Sequence, residues 1–283
     1  MMNQLKSDLV VVGNGIVGAA TALKIKQEHP DLSVLLIDKE QTCATHQTGH
    51  NSGVVHAGVY YQPGSLKADF CKRGAALTKS FCREHNLPFD QCGKMLVATN
   101  DLELERMAAL AERCNENGIA IEPLSEKELK AREPRIKGLG ALLVPDTAIT
   151  DFTKITETMV TRFRALGGET LFGSKITRID EIGQSVRILA GDNAIETAAL
   201  VVCAGLMADR LVRLTGAACD FRIVPFRGEY FRLASDLNDV VRHLIYPIPD
   251  PNLPFLGVHL TRMIDGSVTV GPNAVLGWKR EGY

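Results

Sequence analysis

The stretch D-L-V-V-V-G-N-G-I-V-G, residues 8–18, decides the fold of this chain. It begins with a short Val-rich run of the kind that forms a parallel strand buried on both faces. Gly13, Gly15 and Gly18 follow at the spacing G-x-G-x-x-G, and the next residues have a helical pattern. In such a unit the glycines allow, in turn, the tight turn, the close approach of a pyrophosphate and close packing of helix on strand. The helix N-terminus offers N–H groups and a positive dipole end to the phosphates.

A second apolar strand, residues 33–37, ends on Asp38. An acidic residue at this point is placed to accept hydrogen bonds from the 2′-hydroxyl of a ribose. Strand, glycines, helix, strand and acid in this order predict a dinucleotide site. The alternative is a glycine-rich turn without a ligand, which this order of elements disfavours.

Composition excludes several classes of protein. The chain has 283 residues, 45% hydrophobic and 23% charged, which suits one large or two moderate globular domains. A net charge of −1 argues against a nucleic-acid-binding protein. No apolar run reaches the roughly 18–20 residues of a membrane-spanning helix. Seven cysteines without a C-x-x-C pair indicate reduced thiols in a cytosolic protein.

A long polar stretch, residues 42–64, has few strand or helix signals, and loops of this length are usually functional or disordered. It contains T-G-H-N-S-G-V-V-H-A-G-V-Y-Y, residues 48–61, whose small residues and histidines favour a function. Asn51, Ser52 and Gly53 form a small-residue turn that can bring the backbone close to the pyrophosphate and ring of a cofactor. We therefore predict that these three residues bind the cofactor.

A continuous apolar strand at residues 200–203 runs into Ala204 and Gly205 and has the pattern of a return to the buried parallel sheet. Ligands of such folds lie at the carboxyl ends of the parallel strands, so Gly205 is a further predicted cofactor contact. We predict an α/β fold in which a discontinuous Rossmann-type domain is combined with a mixed antiparallel α+β substrate domain. The predicted bounds are 1–90 and 146–216 for the first domain, and 91–145 and 217–283 for the second.

Beyond residue 217 the chain is rich in strand signals. We predict strands at residues 221–233, 255–262 and 267–270. The proline-rich segment 247–254 between them is predicted to be a loop or a sheet edge.

Four segments resemble a known family. They are the N-terminal glycine fingerprint, N-S-G-V-V-H-A-G-V-Y-Y at 51–61, F-R-G-E-Y at 226–230 and G-V-H-L-T-R-M-I-D-G-S-V-T-V-G-P-N-A at 257–274. Together they look like the FAD-dependent L-2-hydroxyglutarate dehydrogenases, also called oxidases, of the D-amino-acid-oxidase-like fold group. The resemblance spans nearly the whole chain. It implies that the Rossmann-type domain binds FAD, that L-2-hydroxyglutarate becomes 2-oxoglutarate, and that electrons pass to a quinone or to oxygen.

The resemblance also implies a small 2-hydroxy dicarboxylate as substrate and a cytoplasmic location, with peripheral attachment to the cytoplasmic face of the inner membrane as an alternative. Members of this fold group usually run well past 283 residues and carry a late glycine-rich segment that closes over the flavin ring. We therefore expect a substrate domain truncated at its C-terminus. Two other functions stay open: a flavin oxidase or dehydrogenase acting on an amino acid or glycerol-3-phosphate, and a non-catalytic nucleotide-binding remnant.

Oxidation of a 2-hydroxy acid requires a base for the hydroxyl proton and a hydride acceptor, which is the flavin. His56 and His259 are the candidate bases, because the unperturbed pKa of histidine lies near working pH. A structural histidine is the alternative for His56, and some relatives of this fold tether FAD through a histidine in a similar context.

The two carboxylates of the substrate need cationic donors, and an arginine fork binds a carboxylate through two hydrogen bonds. Arg262 is the first candidate, with Arg227 as a second. On a regular strand, however, Thr261 shares the face of His259 and Arg262 lies on the other. His259 and Arg262 both reach the substrate only if the strand twists or bulges there.

No metal site is predicted. His46 and His50 are four residues apart, but they lie in a loop with no third ligand nearby in the sequence.

Overall fold

The structure is a computed structural model that describes residues 2–252 and 257–282. The strands are, in chain order, β1 Asn3–Val12, β2 Val34–Ile37, β3 Val54–Val55, β4 Phe89–Asp90, β5 Lys94–Ala98, β6 Glu122–Ser125, β7 Gly140–Val144, β8 Ala148–Thr150, β9 Glu169–Leu171, β10 Ile176–Ile182, β11 Ser185–Ala190, β12 Asn193–Val202, β13 Phe226–Arg227, β14 Phe231–Arg232, β15 Leu244–Pro247, β16 His259–Arg262, β17 Val268–Gly271 and β18 Val275–Leu276. The α-helices are α1 Ile16–Glu28, α2 Leu66–Glu84, α3 Asp101–Glu116, α4 Glu126–Arg132, α5 Phe152–Ala165 and α6 Ala208–Leu214. Within these described residues, no helix is both long enough and apolar enough to cross a bilayer.

The chain forms two compact units. The first contains Met1–Asn51, Phe152–Pro225 and Gly277–Tyr283. Its six-stranded sheet has the order β10-β11-β12-β1-β2-β9, in which β12, β1, β2 and β9 run parallel and β10 to β12 form an antiparallel extension. Helices α1 and α5 contact each other. This parallel sheet with its helices confirms the predicted Rossmann-type domain.

The Val-rich run of β1 is buried because the strand has a neighbour on each side. Val11 pairs with Leu36 of β2 and with Val201 of β12. Val10, Val11 and Leu36 are fully buried. Burying apolar side chains in this way stabilises a fold by roughly 1.5–3 kcal/mol each. The strand that carries the glycine turn is therefore held rigidly at the centre of the sheet.

The second unit contains Ser52–Asp151 and Phe226–Leu276. Its seven-stranded sheet has the order β14-β17-β16-β15-β5-β7-β6, and β15–β5 is its one parallel pair among the described strands. A three-stranded sheet, β3-β8-β4, lies in the same unit. Leu110 and Cys114 of α3 belong to the buried cluster that includes Leu96 of β5 and Leu244 of β15. The mixed, mainly antiparallel unit agrees with the predicted α+β architecture.

The compact units differ from the predicted domain bounds in four segments: residues 52–90, 146–151, 217–225 and 277–282. Residues 52–90 lie in the second unit, because β3 pairs with β8 through Val54 and Ile149. Residues 277–282 lie in the first unit, because the Arg280 guanidinium forms a two-contact ion pair with the buried Asp209 carboxylate of α6. The contacts that place residues 52–90 and 277–282 join residues far apart in the sequence.

Two strand predictions are corrected. The continuous strand predicted over residues 221–233 is wrong: the structure has only the short exposed strands β13 and β14 there, separated around Gly228. A Cβ atom at Gly228 would lie 2.8 Å from Cβ of Pro272, so this position is packed closely against the neighbouring segment. The strand predicted over 255–262 is observed at His259–Arg262, and residues 255 and 256 lie outside the described residues.

Candidate functional site

A cavity of about 870 Å³ lies in the first unit, within the size range of sites for small molecules and cofactors. Its walls include the residues that directly follow β1, β2 and β12. The carboxyl ends of parallel strands are where ligands bind in this type of sheet. Five of the predicted cofactor residues line the cavity: Gly13, Gly15, Asp38, Asn51 and Gly205.

The glycine turn between β1 and α1 is closed tightly. Gly13 has φ +104°, a conformation that L side chains rarely adopt, and a Cβ there would overlap the Cys203 carbonyl. A Cβ at Gly18 would overlap the carbonyl oxygen of Gly13. Gly15 is the N-cap of α1 and supplies no side-chain cap. Ile16 and Val17 of the first turn of α1 line the cavity; the Ile16 N–H donates to Thr48 Oγ1 at 3.0 Å, and a helix N-terminus at this place suits an anion.

Asp38 has a structural role at the cavity wall. Its carboxylate oxygens accept hydrogen bonds from the backbone N–H of Asn14 at 2.6 Å and of Glu40 at 2.8 Å. Each carboxylate oxygen can accept more than one hydrogen bond, so the ribose contact predicted for Asp38 stays a prediction. These bonds fix the glycine turn to the end of β2.

Asn14 was missed by sequence reasoning. Its side chain lines the cavity and is 1% exposed, and its amide nitrogen and oxygen have no hydrogen-bond partner in the protein. Buried polar atoms without partners are costly and rare in folded proteins. An unpaired donor and acceptor in the wall of this cavity therefore fit a polar ligand. The sequence signal that could have identified Asn14 is its place between Gly13 and Gly15, inside the turn itself.

Charged residues form a cluster at another part of the cavity wall. Lys39 Nζ lies 2.9 Å from a Glu281 carboxylate oxygen and 3.1 Å from His46 Nε2, and it also bonds Glu40. His46 Nε2 lies 3.0 Å from a Glu40 carboxylate oxygen. The reasoning that His46 has no further ligand groups nearby is therefore wrong in three dimensions. Glu40, His46 and Glu281 each offer one ligand atom within 4.8 Å of the others, so this group could hold a metal ion, and the Lys39 ammonium contacts all three residues.

The second unit contains both candidate bases, of which His259 is buried and His56 is partly buried. His259 lies on β16 and is 6% exposed. Its ring stacks on that of Tyr246, with ring centroids 3.8 Å apart and an interplanar angle of 15°. His259 Nδ1 lies 2.9 Å from the Gly257 carbonyl oxygen, which can only accept a hydrogen bond. Nδ1 therefore carries the hydrogen in the neutral ring, and Nε2 is left as a proton acceptor.

Both histidines are held in the uncharged form. Burial lowers the pKa of His56 to about 3, with smaller contributions from the charges of Lys94 and His259. Burial also lowers the pKa of His259, and Lys94 again contributes in the same direction. An uncharged imidazole can accept a proton, but a general base is most effective when its pKa lies near the operating pH, so the strongly lowered pKa of His56 favours His259 for this role.

Lys94 was also missed by sequence reasoning. Its side chain is fully buried, and its Nζ has no hydrogen-bond partner. Nζ lies 4.6 Å from the centroid of the Tyr60 ring and 5.2 Å from that of Tyr246. Strand alternation was the available signal, because it places Lys94 on the same face of β5 as the buried Leu96.

The structure does not bring the candidate arginines to this environment. Strand β16 pairs with β17 in an unbroken register, so Arg262 lies on the opposite face from His259. The Arg262 guanidinium donates to the Arg242 carbonyl oxygen at 2.6 Å and lies 3.6 Å from the Asp90 carboxylate. Arg227 is exposed and pairs with Glu229 at 2.6 Å. Carboxylate binding by Arg262 stays a prediction.

The small-residue turn is divided between the units. Asn51 belongs to the first unit, and its side-chain amide donates to the Thr48 carbonyl oxygen at 2.6 Å. Ser52 and Gly53 belong to the second. Gly53 has φ +69°, and its carbonyl oxygen accepts a hydrogen bond from the Thr150 N–H at 2.9 Å. Gly53 thus has a role at the edge of the β3–β8 pair, and cofactor binding by Ser52 and Gly53 stays a prediction.

Comparison with solved structures shows the fold. The chain is similar to L-alpha-glycerophosphate oxidase from Mycoplasma pneumoniae, solved with FAD bound, with a TM-score of 0.88. The match covers 98% of this chain and 73% of that one, at 24% sequence identity.

Sequence comparison gives nearer relatives. The chain is 56% identical over 277 residues to a protein named L-2-hydroxyglutarate dehydrogenase from Salmonella houtenae, and 54% identical to the protein of that name from Escherichia coli strain K12. Each match covers 98% of this chain, and the chain spans 66% of the length of each relative. The sequence pattern of the DAO family, described as FAD dependent oxidoreductase, matches residues 8–282. The chain therefore belongs to the DAO family of FAD-dependent oxidoreductases.

Proposed function

We propose that this protein oxidises L-2-hydroxyglutarate to 2-oxoglutarate with FAD as its cofactor. The observation that carries the proposal is the buried His259, whose Nδ1 lies 2.9 Å from the Gly257 carbonyl oxygen, so that Nε2 is left as a proton acceptor. The names and identities of the two bacterial relatives support the choice of substrate. The fold alone is shared with oxidases that carry other names, so it does not select the substrate.

The residues of the cavity in the first unit fit FAD. Gly15 and the N-terminus of α1 hold the pyrophosphate, because N–H groups and the helix dipole favour an anion there. Asp38 binds a ribose hydroxyl, and the unpaired amide of Asn14 supplies a further donor and acceptor. When bound, FAD supplies a hydride acceptor for the α-carbon of the substrate.

The histidines handle the proton of the substrate hydroxyl. Nε2 of His259 accepts this proton, while the Gly257 carbonyl and the Tyr246 ring fix the orientation of the imidazole. Proton removal by a positioned base typically contributes 10²- to 10⁴-fold to a rate. His56, partly buried in the segment after β3, is the second candidate for this role.

Electrons then pass to a quinone or to oxygen, and we place the protein in the cytoplasm with peripheral attachment to an anionic membrane surface. Helix α2 supports this attachment: Leu66, Phe70 and Leu77 are 72%, 60% and 68% exposed. The helix also carries five basic and two acidic residues. An exposed apolar face on a basic helix is suited to the interface of anionic lipids.

Vesicle binding tests this attachment. We expect the protein to sediment with phosphatidylglycerol vesicles but not with phosphatidylcholine vesicles, and the variant Phe70→Ser/Leu77→Ser to lose most of this binding. The control is Leu102→Ser, which removes a 55% exposed leucine from α3. Equal binding of all three proteins would remove the assignment to α2.

Flavin content and a substrate panel test the proposed reaction. The purified protein is expected to be yellow, or to become so with added FAD, and to reduce a dye acceptor with L-2-hydroxyglutarate. Glycerol-3-phosphate, glycine and L-amino acids serve as competing substrates. A preparation that cannot be reconstituted with FAD would favour the non-catalytic alternative. Faster turnover of another member of the panel would move the proposal to that substrate.

A further inference from the structure

We propose that Lys94 is a positioning residue of the oxidation site: its buried ammonium group holds His56 and His259 as proton acceptors and provides the counter-charge for an anionic substrate. The inference rests on the proposed function for the identity of the substrate. The position of Lys94 in the fold, its lack of an anionic partner and its relation to both histidines are independent of that function.

The sheet register fixes the place of the Lys94 side chain. On β5 Lys94 pairs with Leu244 of the parallel neighbour β15, and Leu96 pairs with Tyr246. Strand β15 in turn pairs with β16 through Ile245 and Leu260, which sets Tyr246 beside His259. Lys94 and His259 are therefore connected through the Tyr246 ring by neighbouring strands of one sheet.

The titratable groups that surround Lys94 in the described chain are thiols, imidazoles and phenols. Two thiols on helices, Cys71 of α2 and Cys114 of α3, raise the pKa of Lys94 slightly against the effect of burial. The charge of Lys94 in turn lowers the pKa of His56, in the segment after β3, and of His259 on β16. Tyr60 and Tyr246 present their ring faces. No carboxylate of the described residues pairs with this ammonium group.

A lysine with a purely structural role is satisfied differently in the same protein. Lys26 of α1 is 6% exposed, and its Nζ donates to the carbonyl oxygens of Pro30 at 2.6 Å and Leu32 at 2.7 Å. The Lys94 ammonium group instead lies over the ring faces of Tyr60 and Tyr246. These faces attract a cation but do not replace its lost hydration. A buried charge without a partner is expensive. Such a group persists at sites where the charge is used.

The positive charge has two consequences at the site. It disfavours a second positive charge on His56 or His259, so both rings stay available to accept a proton. It also attracts a negatively charged ligand, and a dicarboxylate brings two negative charges. Because the surroundings of Lys94 are apolar, both effects are stronger than the same charges would produce in water.

The test compares Lys94→Met with Lys94→Arg, which keeps the charge. In Lys94→Met we expect the KM for L-2-hydroxyglutarate to rise at least about tenfold and the acid limb of kcat/KM to move up by about one pH unit. Lys94→Arg is expected to retain the position of the acid limb. Lys26→Met, the control for loss of a buried lysine, is expected to melt at a lower temperature with the KM and the acid limb unchanged.

A second readout does not depend on turnover. In the FAD-loaded protein the imidazole resonances of His56 and His259, followed by NMR against pH, are expected to titrate at higher pH in Lys94→Met than in the unsubstituted protein. Lys94→Met is expected to fold, with a melting temperature at pH 7 at or above that of the unsubstituted protein. Burial lowers the pKa of Lys94 to about 8, so its charged form destabilises the folded state below that pH.

The outcomes separate the two proposals. If the unsubstituted protein does not oxidise L-2-hydroxyglutarate but the histidine pKa values rise in Lys94→Met, the proposed substrate is wrong and the role of Lys94 stands. If the histidine pKa values are the same in both proteins, or if the KM and the acid limb do not move, the inference about Lys94 is overturned.

Discussion

Replacing His259 by glutamine is expected to lower kcat for L-2-hydroxyglutarate by about 10²- to 10⁴-fold, the usual contribution of a positioned general base. Glutamine keeps a donor for the Gly257 carbonyl oxygen, which His259 Nδ1 contacts at 2.9 Å. It has no basic nitrogen to replace Nε2. The flavin is expected to remain bound, because the predicted FAD residues of the cavity belong to the other unit. Stopped-flow measurement of flavin reduction, together with the flavin absorbance, gives both quantities.

The same measurement on His56→Gln decides which imidazole takes the proton. The variant with the larger loss of flavin reduction identifies the base, and the smaller loss measures the contribution of the neighbouring ring. His29→Gln is the control, since His29 is exposed at the C-cap of α1 and is expected to leave the rate unchanged. If both His56→Gln and His259→Gln keep the full rate, neither residue is the base.

Replacing Gly18 by alanine is expected to abolish FAD binding. The added Cβ would overlap the carbonyl oxygen of Gly13, which is backbone and has no alternative rotamer. Overpacking of this kind typically costs about 1–3 kcal/mol or more, and here helix α1 must move away from the turn. The N–H groups of α1 would then lose their position at the cavity. We expect a colourless protein after purification and at least about a hundredfold weaker binding in an FAD titration.

A matched control exists on another helix. Gly74 lies inside α2, where an added Cβ would have no neighbouring atom within 4 Å. Gly74→Ala is expected to keep FAD and to stabilise the protein by up to about 1 kcal/mol, because alanine is the better helix former. Normal flavin content in Gly18→Ala, with thermal melting like that of Gly74→Ala, would contradict the packing argument for the glycine fingerprint.

The nucleotide half of the protein was predictable because its signals are local. The strand, Gly13, Gly15, Gly18 and Asp38 lie within one short stretch, and each has a backbone or packing role that a single residue type serves best. Tertiary context did not override these preferences. The parallel sheet and the cavity at its carboxyl ends follow directly from them.

The substrate half was predictable only in part. His56 and His259 could be chosen from their residue type and from the family resemblance, and both lie in the second unit. The contacts of Arg262 could not be foreseen, because Asp90 and Arg242 come from distant strands and loops. Lys94 was overlooked because a lysine at the start of a strand usually lies at the surface.

The compact units differ from the predicted domain bounds for a related reason. The pairing of β3 with β8 joins residues almost a hundred positions apart, and nothing in the local pattern of residues 52–90 indicates it. The ion pair of Arg280 with Asp209 likewise draws residues 277–282 into the first unit. Composition and periodicity describe single elements, whereas these assignments depend on which elements meet.

The central position of β1 has a consequence for biosynthesis. Asn3 of β1 and Asn193 of β12 are 190 positions apart, yet their strands are neighbours in the finished sheet. At about 5–20 residues per second, a ribosome needs roughly 10–40 seconds to make the intervening chain. During that interval the valine-rich edge of β1 faces water, and exposed strand edges invite association with other chains. Nascent molecules are therefore expected to depend on chaperones until β12 emerges.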